Sequence, residues 1–179
     1  YDDVLARFGT ATELPLREHV AEALANKGVA LGMLKRHAEA IAAFDDALAR
    51  FGTATEMPLR EQVANALFNK GVALGSLGRQ DEAISAFDDV LARFGTATEM
   101  SLGRPVAGAL VNKGAALGSL ARHDEEIAAY AAVLAQFGTA TEPTLSEPTA
   151  KALADKGVAR GLLGRHEEAI AAYDDVLAR

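Results

Sequence analysis

The hexapeptide Phe-Gly-Thr-Ala-Thr-Glu occurs four times in this chain, beginning at Phe8, Phe51, Phe94 and Phe137. Each copy begins 43 residues after the one before it. A constant period between about 20 and 50 residues is typical of proteins built from stacked repeats. We therefore expect an array in which each unit packs mainly on its neighbours, and such arrays present long surfaces to other molecules.

The period divides the chain into four units, which we expect to form one continuous array. The units are residues 8–50, 51–93, 94–136 and 137–179, and residues 1–7 match the end of a unit. The first two units differ at ten of their 43 positions. Copies this similar arise by recent duplication or by consensus design, and the sequence leaves both origins open.

The composition excludes several classes of partner. Apolar residues make up 50 % of the 179 residues, which is enough for a sizeable core. The net charge of −7 disfavours binding to a nucleic-acid backbone. No apolar run approaches the ~20 residues that cross a bilayer, so we expect no membrane span.

The expected compartment is the cytoplasm. The chain contains no cysteine, which excludes disulfides and fits a reducing environment. No signal peptide is visible near the start of the sequence. The chain opens inside a unit and has no initiator methionine, so any targeting segment of the native protein would precede Tyr1.

Each unit contains two segments with the apolar spacing of a helix. In the first unit these are about residues 16–34 and 38–51. In the second unit we expect Thr55 to cap the first helix, because Pro58 then falls in its first turn.

Proline and glycine mark the expected ends of other helices. Pro105 and Pro148 would disturb a helix that began in the hexapeptide, so we expect those helices to start later, near Gly103 and Ser146, or to be kinked. Glycines in the turn between the two helices, and after the second helix, are expected to act as C-caps. These glycines are Gly78 and Gly164 in the turn, and Gly52, Gly95 and Gly138 after the second helix.

The arrangement of small and large residues in each unit resembles the tetratricopeptide repeat, a unit of two helices joined by a turn. The matching positions are Leu24, Gly28, Leu31, Ala40, Phe44 and Ala47; Leu67, Gly71, Leu74, Ala83, Phe87 and Val90; Leu110, Gly114, Leu117, Glu126, Tyr130 and Val133; and Leu153, Gly157, Arg160, Ala169, Tyr173 and Val176. Two features depart from the family: the period is 43 instead of about 34, and the hexapeptide replaces the proline that normally closes a unit. The resemblance implies an all-α fold, a right-handed α-solenoid of stacked helix–turn–helix units.

Glycine recurs at two positions, four residues apart, in the first helix of every unit. These pairs are Gly28/Gly32, Gly71/Gly75, Gly114/Gly118 and Gly157/Gly161. A glycine inside a helix costs about 1 kcal/mol relative to alanine. We therefore expect all eight to allow a close approach of neighbouring helices.

One face of the first helix changes from unit to unit. The variable sets are Glu22/Asn65/Gly108/Lys151, Ala25/Phe68/Val111/Ala154 and Met33/Ser76/Ser119/Leu162. In the first unit these positions fall within an arc of about 100° opposite the Leu24/Leu31 stripe. In the tetratricopeptide family this face lines a concave groove, so the resemblance implies a surface that binds a peptide or protein segment. Simple drift of a solvated face is the alternative, although Phe68 and Met33 are unusual choices for solvated positions.

Asparagine occupies one place on that face in three units, as Asn26, Asn69 and Asn112, and Asp155 replaces it in the fourth. In peptide-binding members of the family, asparagines at this place bond the main chain of an extended ligand, and the resemblance implies the same role here. Inheritance by duplication and a bond to a neighbouring helix are the alternatives. The other candidate groove residues are Phe68, Val72, Glu22, Asn65, Lys151 and Met33.

The family's clamp for acidic C-terminal tails is not expected. It needs a lysine just before the first asparagine and a second asparagine three residues after it. Ala25 and Val29 hold those places in the first unit, and Phe68 and Val72 hold them in the next.

No arrangement of residues indicates catalysis, a metal or a cofactor. Asp46 and Arg50 are spaced as an ion pair on one helix face. The recurring Lys27, Lys70, Lys113 and Lys156 are expected to cover apolar surface with their stems. His37, His123 and His166 share one turn position in different units, too far apart for a common metal.

The sequence therefore predicts a non-catalytic scaffold that binds a protein or peptide ligand in a groove lined by the first helices. The alternative is a structural module that stacks head to tail as a homo-oligomer, because neither end carries a polar capping helix.

Overall fold

We describe a computed structural model of the chain for residues 1–140 and 142–177. The described residues form nine helices and no strand. The helices are α1 (Asp2–Phe8), α2 (Leu14–Met33), α3 (His37–Phe51), α4 (Met57–Ser76), α5 (Gln80–Phe94), α6 (Met100–Ser119), α7 (His123–Phe137), α8 (Pro143–Leu162) and α9 (His166–Leu177). The starts of α2, α4, α6 and α8, the first helices, are 43 residues apart, which confirms an all-helical repeat fold. The second helices are α3, α5, α7 and α9.

The chain divides into two compact units, residues 1–89 and 90–179, and the boundary falls within α5. In the first, α2 packs against α1, α3 and α4. In the second, α6 packs against α7 and α8, and α8 packs against α9. Thus each first helix packs on its own second helix, and within each compact unit successive first helices also touch.

The two helices of a repeat run antiparallel. The backbone at Gly71 lies against Phe87, and Gly75 lies near Ala83. Moving four residues forward in α4 therefore moves the contact four residues back in α5. The three-residue turn between the helices allows this geometry and keeps the pair in close contact.

Glutamate, the last residue of the hexapeptide, is the N-cap of each first helix. The predicted cap at Thr55 is wrong by one residue, because α4 has Glu56 as its N-cap and begins at Met57. The Glu56 carboxylate accepts a hydrogen bond of 3.0 Å from the Thr55 backbone N–H. Pro58 falls in the first turn as predicted, where a missing backbone N–H costs no helical hydrogen bond.

The internal prolines do not delay the helices that contain them. The predicted starts near Gly103 and Ser146 are wrong, because α6 begins at Met100 and α8 at Pro143. In α6, Pro105 is the sixth helical residue. Because proline has no backbone N–H, the carbonyl four residues earlier is the one group that loses its helical hydrogen bond. That carbonyl belongs to an exposed residue of the first turn, where water can bond it.

The turn between the helices is a C-cap with left-handed backbone, as predicted for Gly78 (φ +75°) and Gly164 (φ +72°). Lys35 and Ala121 adopt the same conformation at the equivalent positions. Gly52 and Gly138 are the C-caps of α3 and α7, as predicted, but their backbone is right-handed, with φ −58° and −61°. Glycine is needed there for space, because a Cβ on Gly138 would lie 2.2 Å from the Leu134 carbonyl oxygen.

The recurring helix glycines fall into two kinds. A Cβ on Gly28 would lie 2.4 Å from the Phe44 ring, and Gly71, Gly114 and Gly157 meet the ring of their own second helix in the same way. This confirms a packing role for the first glycine of each pair. The second glycine varies: a Cβ on Gly118 would lie 2.7 Å from the Glu126 carboxylate, whereas nothing lies within 4 Å of a Cβ placed on Gly32 or Gly161. The expectation of close packing is wrong at these two positions.

This difference predicts opposite effects of alanine at two positions of one helix. Gly28→Ala should destabilise by about 1–3 kcal/mol, because its methyl group must displace the Phe44 ring. Gly32→Ala should stabilise by about 0.5–1 kcal/mol, because the helix gains a better former without a clash. Equilibrium urea unfolding of both variants and the parent chain measures the two changes. Similar losses at both sites would contradict the assignment of free space at Gly32.

Candidate protein-binding face

The exposed face of the first helices carries both polar and apolar residues. In the first compact unit, Val29 is 40 % exposed, Met33 82 % and Val72 39 %. Glu22 is exposed and Asn65 is half-buried on the same face. Large apolar side chains are thus open to solvent beside polar ones. We call these five residues, together with Asn26 and Asn69, the first-helix face.

One of the three variable positions is not part of this face. Ala25 and Val111 are buried, so the prediction that this position is solvated is wrong for them. The reason is the contact between successive first helices, α2 with α4 and α6 with α8, which covers one flank of each helix. Phe68, at the same position, is half-buried, and its ring centroid lies 6.2 Å from that of Phe87. Part of Phe68 therefore serves packing within its own repeat.

The asparagine set is used in different ways along the chain. Asn26 is exposed and Asn69 is half-buried, and the side chain of neither has a hydrogen-bond partner among the described residues. The Asn112 amide donates a hydrogen bond of 2.8 Å to the Gly108 carbonyl of its own helix. Hence the two amides of the first compact unit can bond another molecule without first losing a bond.

Asp155 is bound to its surroundings on two sides. Lys151, another candidate groove residue, donates to the Asp155 carboxylate over 2.6 Å. The Asp155 carboxylate also acts on the phenol of Tyr130, on α7. Burial, followed by the negative charges of Asp155 and Glu126, raises the pKa of Tyr130 above the usual range of a tyrosine. Asp155 therefore joins the third repeat to the fourth.

The sequence holds a signal for this contact that was not used. Phe44, in the first repeat, precedes an asparagine at position 69 in the second. Tyr130, in the third repeat, precedes an aspartate at position 155 in the fourth. The hydroxyl and the carboxylate therefore appear at the same repeat boundary, as expected for two groups that lie near each other across it.

Ion pairs also join successive repeats. Lys27 contacts Asp2 at 2.5 Å, and Lys70 contacts Asp45 at 2.6 Å, so these lysines do more than cover apolar surface. Lys156 has alanine at the place that corresponds to Asp45. Burial, with a smaller effect of nearby Arg160, lowers the pKa of Lys156.

The last turn of the second helices is tied to the loop that opens the same repeat. Arg50 pairs with Asp46 at 2.6 Å, as predicted. It also donates a hydrogen bond of 3.0 Å to the carbonyl of Gly9 in that loop. In the third repeat Gln136 replaces the arginine and bonds Gly95 in the same way, over 2.8 Å. The loss of the aspartate there therefore leaves this contact within the repeat intact.

The turn histidines do not converge. His123 bonds Glu126 over 2.8 Å, whereas His37 is half-buried and His166 exposed in their own turns. Within residues 1–140 and 142–177, no group of three or more histidine, cysteine or acidic side chains is placed to hold a metal ion. None of the described helices combines the length and the apolar character needed to cross a membrane.

Comparison with known proteins shows which repeat family these hairpins resemble. Residues 19–95 match the family model described as tetratricopeptide repeat. No curated protein matches the chain. Among solved structures, a crystal structure of an engineered protein aligns with a TM-score of 0.49 and 21 % identity, over 98 % of this chain and 68 % of the other.

Residues 19–95 are thus similar to the tetratricopeptide repeat family, in a match that covers less than half of the chain. The helix bounds show the same two-helix arrangement, at the 43-residue period, in the remaining repeats. The match supports a general role in protein–protein interaction. Handedness of the solenoid and the ligand-contact role of the first-helix face stay predictions.

The Tyr130–Asp155 contact predicts a loss of stability at alkaline pH. The folded chain holds the Tyr130 phenol neutral, whereas in the unfolded chain it ionises near pH 10. Its contribution to stability is therefore complete below about pH 10 and decreases as the pH rises further. Tyr130→Phe removes the ionisable phenol and should therefore reduce the alkaline decrease.

Urea unfolding at about pH 7 and about pH 11 tests this prediction. Tyr173→Phe is the matched control, because α9 carries the same residue at the equivalent place and the described residues give its hydroxyl no partner. An equal pH dependence in the two variants would contradict the role of Asp155.

Proposed function

We propose that this protein is a non-catalytic scaffold that binds an extended peptide or protein segment on the first-helix face. The observation that carries the proposal is the combination of unpartnered amides and exposed apolar side chains in the first compact unit. The side chains of Asn26 and Asn69 have no hydrogen-bond partner within the part of the chain that the structure describes, and they lie beside exposed Val29, Met33 and Val72.

The chemistry of the face indicates the kind of ligand. A side-chain amide both donates and accepts, so it can bond the main chain of a peptide whatever its sequence. The valines and Met33 offer apolar contact, and methionine adapts readily to different shapes. A ligand segment that alternates apolar side chains with accessible main chain fits both features. The family match supports the general role, and the residues of the groove are our proposal.

The remaining candidates extend the face at its ends. Glu22 and Asn65 lie one helical turn before the asparagines. Phe68 contributes the part of its ring that its own repeat leaves open. In the second compact unit, Asn112, Lys151 and Asp155 already have partners within the chain. We therefore place the ligand-specific contacts mainly on α2 and α4.

A second candidate function is self-association of the chain end to end. The observation that favours it is the outer face of α9, where Ile170 is 59 % and Tyr173 40 % exposed. The equivalent Ile41 and Phe44 are 9 % and 2 % exposed. An apolar helix face of this kind is a candidate surface for another copy of the chain.

Peptides selected from a random library on the whole chain test the leading proposal. Asn69→Ala should weaken the selected peptides about five- to tenfold, the effect expected for one lost hydrogen bond. Val72→Asp should weaken them by at least as much, because it places a charge on the apolar part of the face. Fluorescence anisotropy of labelled peptides measures the affinities.

Ser85→Ala provides the control, because Ser85 is exposed on the second helix of the same repeat. The selected peptides should bind the Ser85→Ala variant with the same affinity as the parent chain. Selected peptides that bind both Asn69→Ala and Val72→Asp as tightly as the parent chain would show that the first-helix face is not the site.

A further inference from the structure

A lysine recurs at one place in the first helix of every repeat, and it is half-buried each time. These lysines are Lys27, Lys70, Lys113 and Lys156. Lys70 shows how such a charge is compensated, since its ammonium pairs with Asp45 of α3 at 2.6 Å. A nearby carboxylate favours the charged form of a lysine, which partial burial disfavours.

Lys156 has the same partial burial as Lys70 without its carboxylate partner. Helix α7 packs on α8 as α3 packs on α4, and Ala131 holds the place on α7 that Asp45 holds on α3. Within the part of the chain that the structure describes, the Lys156 ammonium makes neither a hydrogen bond nor an ion pair. The boundary between the third and fourth repeats therefore contains a half-buried cation that has no bonded counter-ion.

A second cation lies one helical turn after Lys156. Arg160 stands where the first three repeats have leucine. Its guanidinium pairs with the Glu168 carboxylate at 3.2 Å and donates a hydrogen bond of 3.1 Å to the Glu168 carbonyl. Glu168 is thus engaged by Arg160, and Asp175, the other acid that acts on Lys156, is exposed to solvent.

These surroundings favour the uncharged form of Lys156. Burial lowers the pKa of Lys156, and the charge of nearby Arg160 lowers it further. Asp175 and Glu168 act in the opposite direction and offset only part of this effect. A lysine that is desolvated or lies beside another cation is an activated nucleophile, because its neutral amine has a free electron pair. Lys70 differs on both counts, since it has a carboxylate partner and a leucine at the place of Arg160.

We propose that Lys156 is a site of covalent acylation and that an acyl phosphate is the donor. The electron pair of the amine attacks the carbonyl carbon of the acyl group and forms a C–N bond. The C–O bond to phosphate breaks, and the departing phosphate takes its electron pair and the proton that the amine loses. The products are an amide on Lys156 and inorganic phosphate. An anionic donor suits this place, because Arg160 adds positive charge near the amine.

The fold tolerates this modification at Lys156 better than at Lys70. Acylation removes the positive charge of a lysine. At Lys156 it breaks no ion pair and removes a half-buried charge that has no bonded counter-ion. At Lys70 it would leave Asp45 without its partner. The reactivity of the amine and the effect of acylation on the fold therefore favour the same residue.

Acetyl phosphate added to the whole chain near neutral pH tests the proposal, with peptide mass spectrometry to follow each lysine. Lys156 should be acetylated at least about fivefold faster than Lys70, because more of its amine is uncharged. It should also react faster than Lys35, an exposed lysine in the turn between α2 and α3. In urea that unfolds the chain the three rates should become similar, since the difference depends on the fold.

Two variants exchange the surroundings of the two lysines. Ala131→Asp supplies the missing carboxylate and should slow the acetylation of Lys156 to about the rate at Lys70. Asp45→Ala is the reciprocal change and should accelerate the acetylation of Lys70 about three- to fivefold. Each variant should leave the other lysine unchanged.

Arg160→Leu tests the second cation separately and restores the leucine of the other repeats. It should slow the acetylation of Lys156 about two- to threefold, because it removes a like charge. Circular dichroism of each variant checks that its helices are intact. If Ala131→Asp disturbs α7, Arg160→Leu and Asp45→Ala decide the outcome.

Equal rates at Lys156 and Lys70 in the folded parent chain would overturn the proposal. An unchanged rate at Lys156 in both Ala131→Asp and Arg160→Leu would also overturn it, because the reactivity would then not depend on the groups around the amine. Fast acetylation of Lys156 that falls in these variants, with the reciprocal rise at Lys70 in Asp45→Ala, establishes it.

Discussion

The contact between a glycine of the first helix and an aromatic ring of the second is the constraint on which this structure depends. With no Cβ at Gly28, the Phe44 ring lies directly on the backbone of α2. Any other residue would separate the two helices by the radius of a methyl group. The contact recurs in every repeat and fixes which residues face each other along the antiparallel pair. This register decides which side of each second helix is left for the next repeat.

The same register places the polar contacts between repeats. Once α3 lies on α2, its opposite side presents Asp45 to Lys70 of the following helix. Lys27 of α2 meets Asp2 of α1 in the same way. Such partly exposed pairs contribute little free energy each. Their importance is geometric, since each is satisfied in only one alignment of neighbouring repeats, and apolar surface alone would tolerate a slip.

The repeats made the helices of this chain predictable from its sequence. The caps, the effect of proline and the packing of single glycines depend on local contacts that the sequence pattern does not show. In the first repeat the two helices and their bounds followed from apolar spacing within two residues, whereas the predicted starts of α6 and α8 were three residues too late. The cap at Thr55 was missed because Glu56 bonds back to the Thr55 N–H, a local bond that spacing does not reveal. The effect of Pro105 was overestimated because an unmade bond in the first turn can be replaced by water. Gly28 and Gly32 looked equivalent in sequence, although only Gly28 faces a ring.

The candidate site was harder to predict, because a helical stripe does not show which flank a neighbour covers. Ala25 was assigned to the open face, and the contact between α2 and α4 buries it. Phe68 looked exposed because the stripe does not show its ring contact with Phe87 of the same repeat.

Substitutions at the boundary between the third and fourth repeats give these near-copies distinct partners. There Tyr130 and Asp155 replace a phenylalanine and an asparagine, and alanine at position 131 leaves Lys156 without the aspartate that Lys70 has. A second helix that ends in the Asp-Asp pair is therefore matched to a first helix like α2 or α4.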